Sequence, residues 1–502
     1  MPSSPRSPAV VPAPVSLTAD DAAAPFALGP GIHVSGTTDA PAAFAALLTA
    51  RTGLDATVGD DGAIAFRLES GGTAESYRIT VDDASVTVAA PDAAGLFYGA
   101  QTLGQLVVAA DGGWIVPAVE IVDAPRFGYR GLMLDVARHF FDVATVEAYV
   151  DRAASLKLNV LHLHLSDDQG WRLHLDSRPR LTERASATAV GGDAGGFYTK
   201  DDYARLVAYA ASRHVVVVPE LDMPGHTHAV GLAYPELAEP PVPPTDAVQD
   251  DREPRTGTPY TGIAVGFSSL RIDDERTYDF VADVFGELAA MTPGPYLHFG
   301  GDESLATSPE DFATFVTRTS AIIAHLGKTP VAWHEAGAAP GIADDTVGQY
   351  WGFTTPDGGA DELARAFVAN GSRIVLSPAD AVYLDMKYDD ATTLGLTWAN
   401  GPTSVRRAYE WEPAAVVPGV GDGDILGVEA ALWTETGLSR DDLDTLAFPR
   451  LAAAAEAAWS PATGTSGLRT WDSFRARVGA LGPLWSSLGI HYFRSPEIAW
   501  EA

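Results

Sequence analysis

The sequence of 502 residues contains no cysteine and only four lysines. The lack of cysteine excludes disulfides, thiolate metal sites and cysteine nucleophiles. Apolar runs are also short, because none approaches the roughly 20 residues that span a bilayer. The 66 acidic side chains outnumber the 33 basic ones and give a net charge of −33. Such a charge repels nucleic acid and anionic membranes, so we expect neither as a partner and favour a neutral substrate.

The start of the chain lacks the apolar core of a secretory signal. Proline, serine and alanine dominate residues 1–14, and this composition predicts a flexible arm over residues 1–18. For the sequence as given we therefore expect a cytoplasmic protein, with secretion left open. The composition gives no indication of the oligomeric state.

Residues 19–124 mix helical and strand patterns. Residues 41–52 predict a helix with proline in its first turn, where the missing N–H costs nothing. Residues 77–81 and 85–88 alternate apolar and polar side chains, as half-buried strands do. We predict a small α+β domain with a structural role, since this region shows no cluster of acids, histidines or glycines.

Residues 125–502 repeat units of a strand followed by a helix. Runs such as residues 215–218 are continuously apolar, as in strands buried on both faces. The eight predicted strands cover residues 131–136, 158–166, 214–221, 296–301, 329–334, 346–351, 373–377 and 425–432. Strands alternating with helices indicate a (β/α)8 TIM barrel. The alternative, a doubly wound sheet, needs a glycine-rich turn after its first strand, and residues 135–139 contain no glycine.

Most of these predicted strands end in polar or aromatic side chains. The residues concerned are Asp135, Arg138, His139, Ser166, Asp167, Asp168, Trp171, Glu220, Asp222, His226, His228, Asp302, Glu303, Trp333, His334, Glu335, Gln349, Trp351, Trp433 and Glu435. In a (β/α)8 barrel functional groups collect at the C-terminal ends of the strands. Their shared position therefore predicts one active site.

Tryptophan is concentrated in the same region, with ten of the eleven tryptophans after residue 125. Core packing explains a single tryptophan well enough. Several tryptophans beside acids are typical of carbohydrate sites, because a flat ring covers the apolar face of a sugar while polar groups bind its hydroxyls. The distribution favours a sugar substrate.

The histidines allow an alternative to a sugar-binding site, namely a metal site. His162 and His164 alternate with leucines on one strand, so both imidazoles face the same side. Paired histidines can hold a metal in a barrel hydrolase, and His226 and His228 could add ligands. Such enzymes place the pair on the first strand, which here carries none. We favour packed histidines and expect no metal or cofactor, with a metal-dependent amidohydrolase as the alternative.

The adjacent carboxylates Asp302 and Glu303 follow two glycines at the end of the fourth predicted strand. Adjacent acids repel and push their pKa values apart, which suits acid catalysis, although an acidic helix start would look similar. Retaining glycosidases hold two carboxyls about 5–5.5 Å apart, and inverting ones about 6.5–9.5 Å. Consecutive residues at a strand end point in different directions and flank one bond poorly. Either Glu335 or another acid is the nucleophile, or a 2-acetamido sugar supplies its own carbonyl oxygen.

Five ordered segments of the sequence resemble the family 20 glycoside hydrolases, the β-N-acetylhexosaminidases. The segments are residues 130–135 with Arg138 and His139, residues 162–171, residues 219–226, residues 298–303 and residues 432–435. The resemblance covers nearly the whole chain, since family members often carry an α+β domain before the barrel. It implies exo-acting removal of terminal β-linked N-acetylglucosamine or N-acetylgalactosamine, with retention through a substrate-assisted oxazolinium intermediate. A non-catalytic sugar-binding relative is the remaining alternative.

The same resemblance implies roles for individual residues. Glu303 would be the general acid and later the base, Asp302 would hold the acetamido N–H, and Tyr383 would bond the acetamido oxygen. The implied substrate-binding residues are Trp333, Trp351 and Trp433 around the N-acetyl group, Arg138 and Glu435 at the hydroxyls, Asp385 and Trp398 completing the pocket, and Asp167 and His226 supporting the acid pair. Residues 234–261, rich in proline and acids, predict a rim loop that could alter the preferred substrate length.

Overall fold

The computed structural model describes residues 8–20, 22–110, 112–244 and 252–501. The chain divides into two compact units. The first comprises Met1–Arg130, Arg152–Leu158 and Phe448–Ala502, and the second comprises Gly131–Asp151 and Asn159–Ala447. None of the described helices is long and apolar enough to span a bilayer.

The N-terminal part of the first unit is the predicted α+β fold. Its strands are β1 (Ser16–Ala19), β2 (Phe26–Leu28), β3 (Ile32–Ser35), β4 (Ala56–Gly59), β5 (Ile64–Leu68), β6 (Tyr77–Val81), β7 (Val86–Ala90), β8 (Val108–Ala110), β9 (Gly113–Val116) and β10 (Val119–Asp123). One sheet has the order β1-β10-β6-β7-β5-β3-β4, and a smaller one has the order β2-β9-β8. Helices α1 (Ala40–Thr52) and α2 (Ala93–Leu106) bury apolar side chains in this unit. The alternating strands and the helix after residue 40 were correctly predicted.

The predicted flexible arm needs correction. Residues 1–7 lie outside the described part of the chain, but Val10, Val11 and Ala13 are completely buried. The backbone N–H of Val11 donates to Gln105 Oε1 at 2.8 Å, and Gln105 Nε2 donates to the Val11 carbonyl at 2.7 Å. Apolar side chains within the proline-rich stretch therefore anchor it, and strand β1 begins at Ser16.

The second unit contains the predicted (β/α)8 barrel, which is confirmed. Its closed barrel runs β11 (Tyr129–Asp135), β12 (Val160–His164), β15 (Val216–Glu220), β16 (Tyr296–His298), β17 (Thr329–Trp333), β18 (Val347–Tyr350), β19 (Ile374–Leu376) and β20 (Ile425–Leu432), with a hairpin of β13 (Ser166–Asp167) and β14 (Gly170–Trp171) after β12. Neighbouring strands run parallel around the barrel from β11 through β20. Parallel strands bring their C-terminal ends to one face of the barrel, so the side chains that follow them can meet.

Helices follow most of the barrel strands. They are α3 (Val143–Ser155), α4 (Arg180–Ala185), α5 (Lys200–Ala211), α6 (His228–Ala233), α7 (Glu275–Met291), α8 (Pro309–His325), α9 (Ala360–Ala369), α10 (Ala379–Val382), α11 (Val405–Tyr409) and α12 (Arg440–Ala447). Short 3-10 turns cover Val190–Gly192, Pro235–Leu237, His334–Ala338 and Pro413–Ala415. Side-chain caps define several helix starts, as where Ser308 accepts from the Asp311 N–H at the start of α8.

The chain returns to the first unit with helices α13 (Arg450–Trp459) and α14 (Trp471–Ser487). The second unit ends at Ala447, whereas the predicted barrel domain runs over residues 125–502. A buried ion cluster helps to explain why α13 and α14 belong to the first unit. Glu456 has no exposed surface, and its carboxylate lies 3.0 Å from Arg469 Nη1 and 2.7 Å from Arg477 Nη2. The same carboxylate accepts the Ala13 N–H at 2.9 Å, which joins both ends of the chain within this unit.

We expect Glu456→Gln to lower the free energy of unfolding by about 3–5 kcal/mol, because it leaves buried guanidinium groups without their counter-charge. Urea denaturation followed by circular dichroism measures the change. The matched control is Asp472→Asn, since this carboxylate is 82% exposed in its pair with Arg475. Exposed pairs contribute about 0–1 kcal/mol. Equal losses in both variants would contradict the buried cluster as a source of stability.

Candidate active site

The acid pair follows β16 in a backbone turn that requires glycine. Gly300 and Gly301 have φ angles of +72° and +97°, in the region that favours glycine. A Cβ on Gly300 would lie 1.7 Å from Asp222 Oδ1, the atom that accepts the Gly301 N–H at 3.0 Å. Glu303 also has a positive φ of +42°, an unusual conformation for a side chain of this size. The turn therefore directs the two acids away from the regular path of a strand.

The acid pair lines one pocket of about 680 Å³, counting its open mouth. The lining residues are Arg138, Ile263, Val265, Asp302, Glu303, Trp351, Tyr383, Leu396, Trp398, Trp433 and Glu435. Most of the predicted site residues are thus brought together from strand ends far apart in the sequence. Asp167, His226, Trp333 and Asp385 are absent from this lining and stand behind it.

Asp167 and His226 connect the acid pair to Arg138. Asp167 Oδ2 lies 2.9 Å from Arg138 Nη2, and Asp167 Oδ1 lies 3.1 Å from His226 Nδ1. The other nitrogen of His226 lies 3.4 Å from Glu303 Oε2 and 3.8 Å from Asp302 Oδ2. Burial alone would lower the pKa of His226, but Asp167 and Asp302 raise it well above its usual value. The imidazolium therefore places a positive charge among three carboxyl groups.

Aromatic rings form much of the pocket wall. The Tyr383 ring lies 5.6 Å from that of Trp398 and 6.1 Å from that of Trp433. Trp351 lies 6.0 Å from Trp398, which is 38% exposed and so forms part of the rim. Arg138 packs its guanidinium 4.8 Å from the centre of the Trp433 ring. The pocket combines flat apolar surfaces with the fixed hydrogen-bond donors of Arg138, which suit the apolar face and the hydroxyls of a sugar ring.

Trp333 was expected in this wall but has no exposed surface. Its indole N–H donates to Glu220 Oε1 at 2.9 Å, and its ring lies 6.1 Å from that of Trp433. Trp333 therefore supports the wall from behind. Asp385 is also buried, with 1% of its surface exposed. Burial, Asp302 and Asp385 raise the pKa of Tyr383 well above its usual value, so the phenol keeps its proton at neutral pH.

Three carboxyl groups of the site have pKa values raised to about 7. Burial raises the pKa of Asp302 to about 7 against the opposing effect of His226, with further contributions from nearby acids. Burial likewise raises the pKa of Glu435 to about 7, although Arg138 opposes it. The third group is Glu335, whose pKa burial also raises to about 7. Acids poised near neutrality in a concave site are typical of acid–base catalysis.

Glu335 was expected only as a candidate nucleophile, and the structure shows a different contact. Its two carboxylate oxygens lie 3.1 Å and 3.0 Å from the Trp351 indole nitrogen, which donates to them. Glu335 was selected from the sequence because it follows a predicted barrel strand, which is β17 in the structure. No motif in the sequence pointed to Ile263 and Val265, which come from the long connection before α7 and also line the pocket.

The histidines of β12 are engaged by carboxylates inside the barrel. His162 lies 2.8 Å from Glu429 Oε1 and 3.2 Å from Glu220 Oε2, and His164 bonds to both Glu220 and Asp167. Burial alone would lower the pKa of His162, but Glu429 and Glu220 raise it to about 9. The contacts favour packed histidines over a metal pair.

Comparisons with known proteins identify the family of the chain. The family model described as glycosyl hydrolase family 20, catalytic domain, matches residues 127–462, and the model of domain 2 of the same family matches residues 7–124. A curated β-N-acetylhexosaminidase from Cellulomonas fimi is 44% identical over 427 residues, which cover 85% of this chain and 82% of the relative. A curated β-hexosaminidase from Akkermansia muciniphila is 32% identical over 80% of this chain and 82% of its own length.

Solved structures give the same result. A glycoside hydrolase family 20 β-N-acetylglucosaminidase is 65% identical, with a TM-score of 0.91 over 99% of this chain and 100% of that chain. The Streptomyces plicatus N-acetyl-β-hexosaminidase in complex with Thio-NAglucal is 44% identical, with a TM-score of 0.90 over 99% and 98% of the two chains. The chain therefore belongs to glycosyl hydrolase family 20, the β-N-acetylhexosaminidases, and is a glycosidase.

Proposed function

We propose that this glycosidase is exo-acting and removes terminal β-linked N-acetylglucosamine or N-acetylgalactosamine with retention, using the substrate's acetamido group as the nucleophile. The observation that carries this proposal is the unequal environment of the acid pair. The Glu303 side chain is 31% exposed in the pocket, whereas that of Asp302 is 11% exposed, and both lie near His226. Two acids in such different surroundings suit two different tasks.

Glu303 is placed to protonate the leaving oxygen. As the glycosidic bond breaks, the acetamido carbonyl oxygen of the substrate bonds to C1 and an oxazolinium ion forms. The leaving group departs with the proton from Glu303. The Glu303 carboxylate then takes a proton from water as that water attacks C1. The attack opens the oxazolinium ring and regenerates the acetamido group. Two displacements at C1 give retention of configuration.

Asp302 and Tyr383 support the internal nucleophile. The ionised Asp302 carboxylate accepts the acetamido N–H, which orients the group and balances the positive charge that grows on it. Tyr383 keeps its proton because its pKa is raised, and it donates to the acetamido carbonyl oxygen. Trp351 and Trp433 pack around the N-acetyl methyl group, with Trp333 behind them. Arg138 donates to sugar hydroxyls and Glu435 accepts from them.

The test compares two aryl glycosides that differ only at C2. We expect cleavage of the aryl 2-acetamido-2-deoxy-β-glucoside and a kcat/KM at least 1,000-fold lower for the plain β-glucoside, because the latter lacks the nucleophile. Comparable rates on both would contradict substrate assistance. The same assay after dialysis against a chelator addresses the metal-dependent alternative, and we expect full activity to remain. Loss of activity that returns with added metal would favour that alternative.

A further inference from the structure

Three short segments of the barrel unit carry much of the aromatic wall. Trp351 lies directly after β18, whereas Tyr383 and Trp398 lie in the long connection after β19. The Trp398 ring lies 6.0 Å from that of Trp351 and 5.6 Å from that of Tyr383. The shape of the wall therefore depends on how these segments are held against one another.

Asp380 joins the first segment to the second. It belongs to α10, three residues before Tyr383, and it is 6% exposed. Its Oδ1 accepts the Thr354 N–H at 2.7 Å, and its Oδ2 accepts the Thr354 hydroxyl at 3.0 Å. Thr354 follows Trp351 by three residues. One carboxylate thus holds the segment of Trp351 beside that of Tyr383 with both of its oxygens.

Arg407 joins the third segment to the same carboxylate. Its Nη2 lies 3.1 Å from Asp380 Oδ2, and its Nη1 donates to the Asn400 carbonyl at 3.0 Å and to the Pro402 carbonyl at 3.4 Å. Asn400 follows Trp398 by two residues. A guanidinium carries its donors in a rigid fork, so this one side chain can hold a carboxylate and a loop backbone in a defined geometry.

The ion pair lies outside the active-site pocket. Asp380 and Arg407 line a second, polar cavity of about 600 Å³, counting its open mouth, and neither of them lines the pocket of the acid pair. Ala379, next to Asp380, packs in the same apolar cluster as Tyr383. The pair can therefore act on a substrate only through the wall that it supports.

We propose that Asp380 and Arg407 are positioning residues that fix the width of the pocket for the N-acyl group of the substrate. The inference rests on the proposed function, in which Trp351 packs around the N-acetyl methyl group and Tyr383 donates to the acetamido oxygen. Since that oxygen is the nucleophile, a shift of about 1 Å in the wall misplaces the reacting atom. A fixed wall also limits the length of the acyl chain, because an extra methylene has to displace a packed ring.

The test compares an aryl 2-acetamido-2-deoxy-β-glucoside with its 2-propanamido analogue, which has one more methylene in the acyl chain. We expect the unchanged enzyme to prefer the acetamido substrate by about tenfold or more in kcat/KM. Arg407→Ala should lower kcat/KM on that substrate by about 10- to 100-fold, mostly through kcat, because the nucleophile is held less well in line. The preference itself should fall by about fivefold or more. A variant that is only less folded loses activity on both substrates equally and keeps the preference.

Two milder variants carry the test if Arg407→Ala does not fold. Arg407→Lys keeps the charge but loses the fork, and Asp380→Asn removes the charge that the guanidinium contacts. Each should lower the preference by about twofold or more. The matched control is Arg365→Ala, because Arg365 Nη1 lies 2.6 Å from Asp361 within α9 and its side chain is 37% exposed, against 35% for Arg407. This control should keep both kcat/KM and the preference.

Three outcomes would overturn the positioning role of Asp380 and Arg407. They are an unchanged preference in the folded variants of this pair, an equal fall in Arg365→Ala, and an unchanged enzyme that cleaves both acyl glycosides at the same rate. Failure of the unchanged enzyme to prefer the acetamido substrate over the plain β-glucoside would instead overturn the proposed function.

Discussion

Glu303→Gln is expected to lower kcat/KM by about 100- to 10,000-fold on glycosides with sugar or alkyl leaving groups. Glutamine keeps the shape of the side chain but has no proton to give to the leaving oxygen. An alkoxide is a poor leaving group without that proton, so the first displacement becomes very slow. A nitrophenolate leaves unaided far more easily, and the loss on a nitrophenyl substrate should be much smaller for that first step.

The dependence on the leaving group distinguishes a lost acid from a damaged pocket. Steady-state rates on a series of substrates with leaving groups of rising pKa measure it. Glu310→Gln, in the exposed first turn of α8, is the control and should match the unchanged enzyme. Full activity of the Glu303 variant on the disaccharide would remove Glu303 as the acid. An equal loss on every substrate would point to a role in binding.

Asp302→Asn is expected to lower kcat/KM by about 100- to 1,000-fold while stabilising the folded protein at alkaline pH. Catalysis suffers because the amide cannot balance the charge of the oxazolinium ion, and such electrostatic contributions are of this size. Stability rises because burial and the nearby acids outweigh the favourable charge of His226 at the ionised Asp302, and asparagine removes this buried charge. The combination of opposite effects is typical of a residue kept for function.

The sign of the stability effect follows from the raised pKa of Asp302. Its folded-state value of about 7 exceeds the value near 4 of an unfolded chain. Between these values the folded protein binds the extra proton, so the stability contributed by this group falls as the pH rises from 4 to 7. The asparagine variant does not titrate. Its advantage should be small at pH 5 and reach its full size at pH 8.

Thermal unfolding of both proteins at pH 5 and pH 8 measures the difference. One pKa unit corresponds to about 1.4 kcal/mol, so we expect a rise in Tm of a few degrees at pH 8. Asp279→Asn, at an exposed position of α7, is the control and should show no such dependence on pH. A variant that is less stable at pH 8 than at pH 5, relative to the unchanged protein, would contradict the buried-charge explanation.

Much of the fold could be predicted because its signals are local. The continuous apolar run of residues 215–218 predicted a strand without any tertiary information, although Val216 is 38% exposed and the run is not buried throughout. The two glycines before Asp302 were visible as a sharp turn. Their necessity became clear only with Asp222, because the clash at Gly300 comes from a side chain 78 positions away in sequence.

Other features depend on contacts between distant segments. The proline-rich start was predicted to be flexible from its composition, but Val10 and Val11 are buried and Ala13 hydrogen-bonds to Glu456. Trp333 was expected in the pocket wall from its position at a strand end, yet its indole faces Glu220 within the barrel. Composition and position at a strand end cannot tell which surface a side chain meets.

The sequence by itself determined the barrel, the family and the identity of most candidate site residues, because these depend on periodicity and on short ordered segments. The compartment stays a prediction. Only the tertiary structure decided which acid of the pair is exposed, how His226 sits between carboxylates, and that Ile263 and Val265 complete the pocket. The physical reason is that burial and charge depend on neighbours in space. Those neighbours come from loops whose sequences carry no periodic signal.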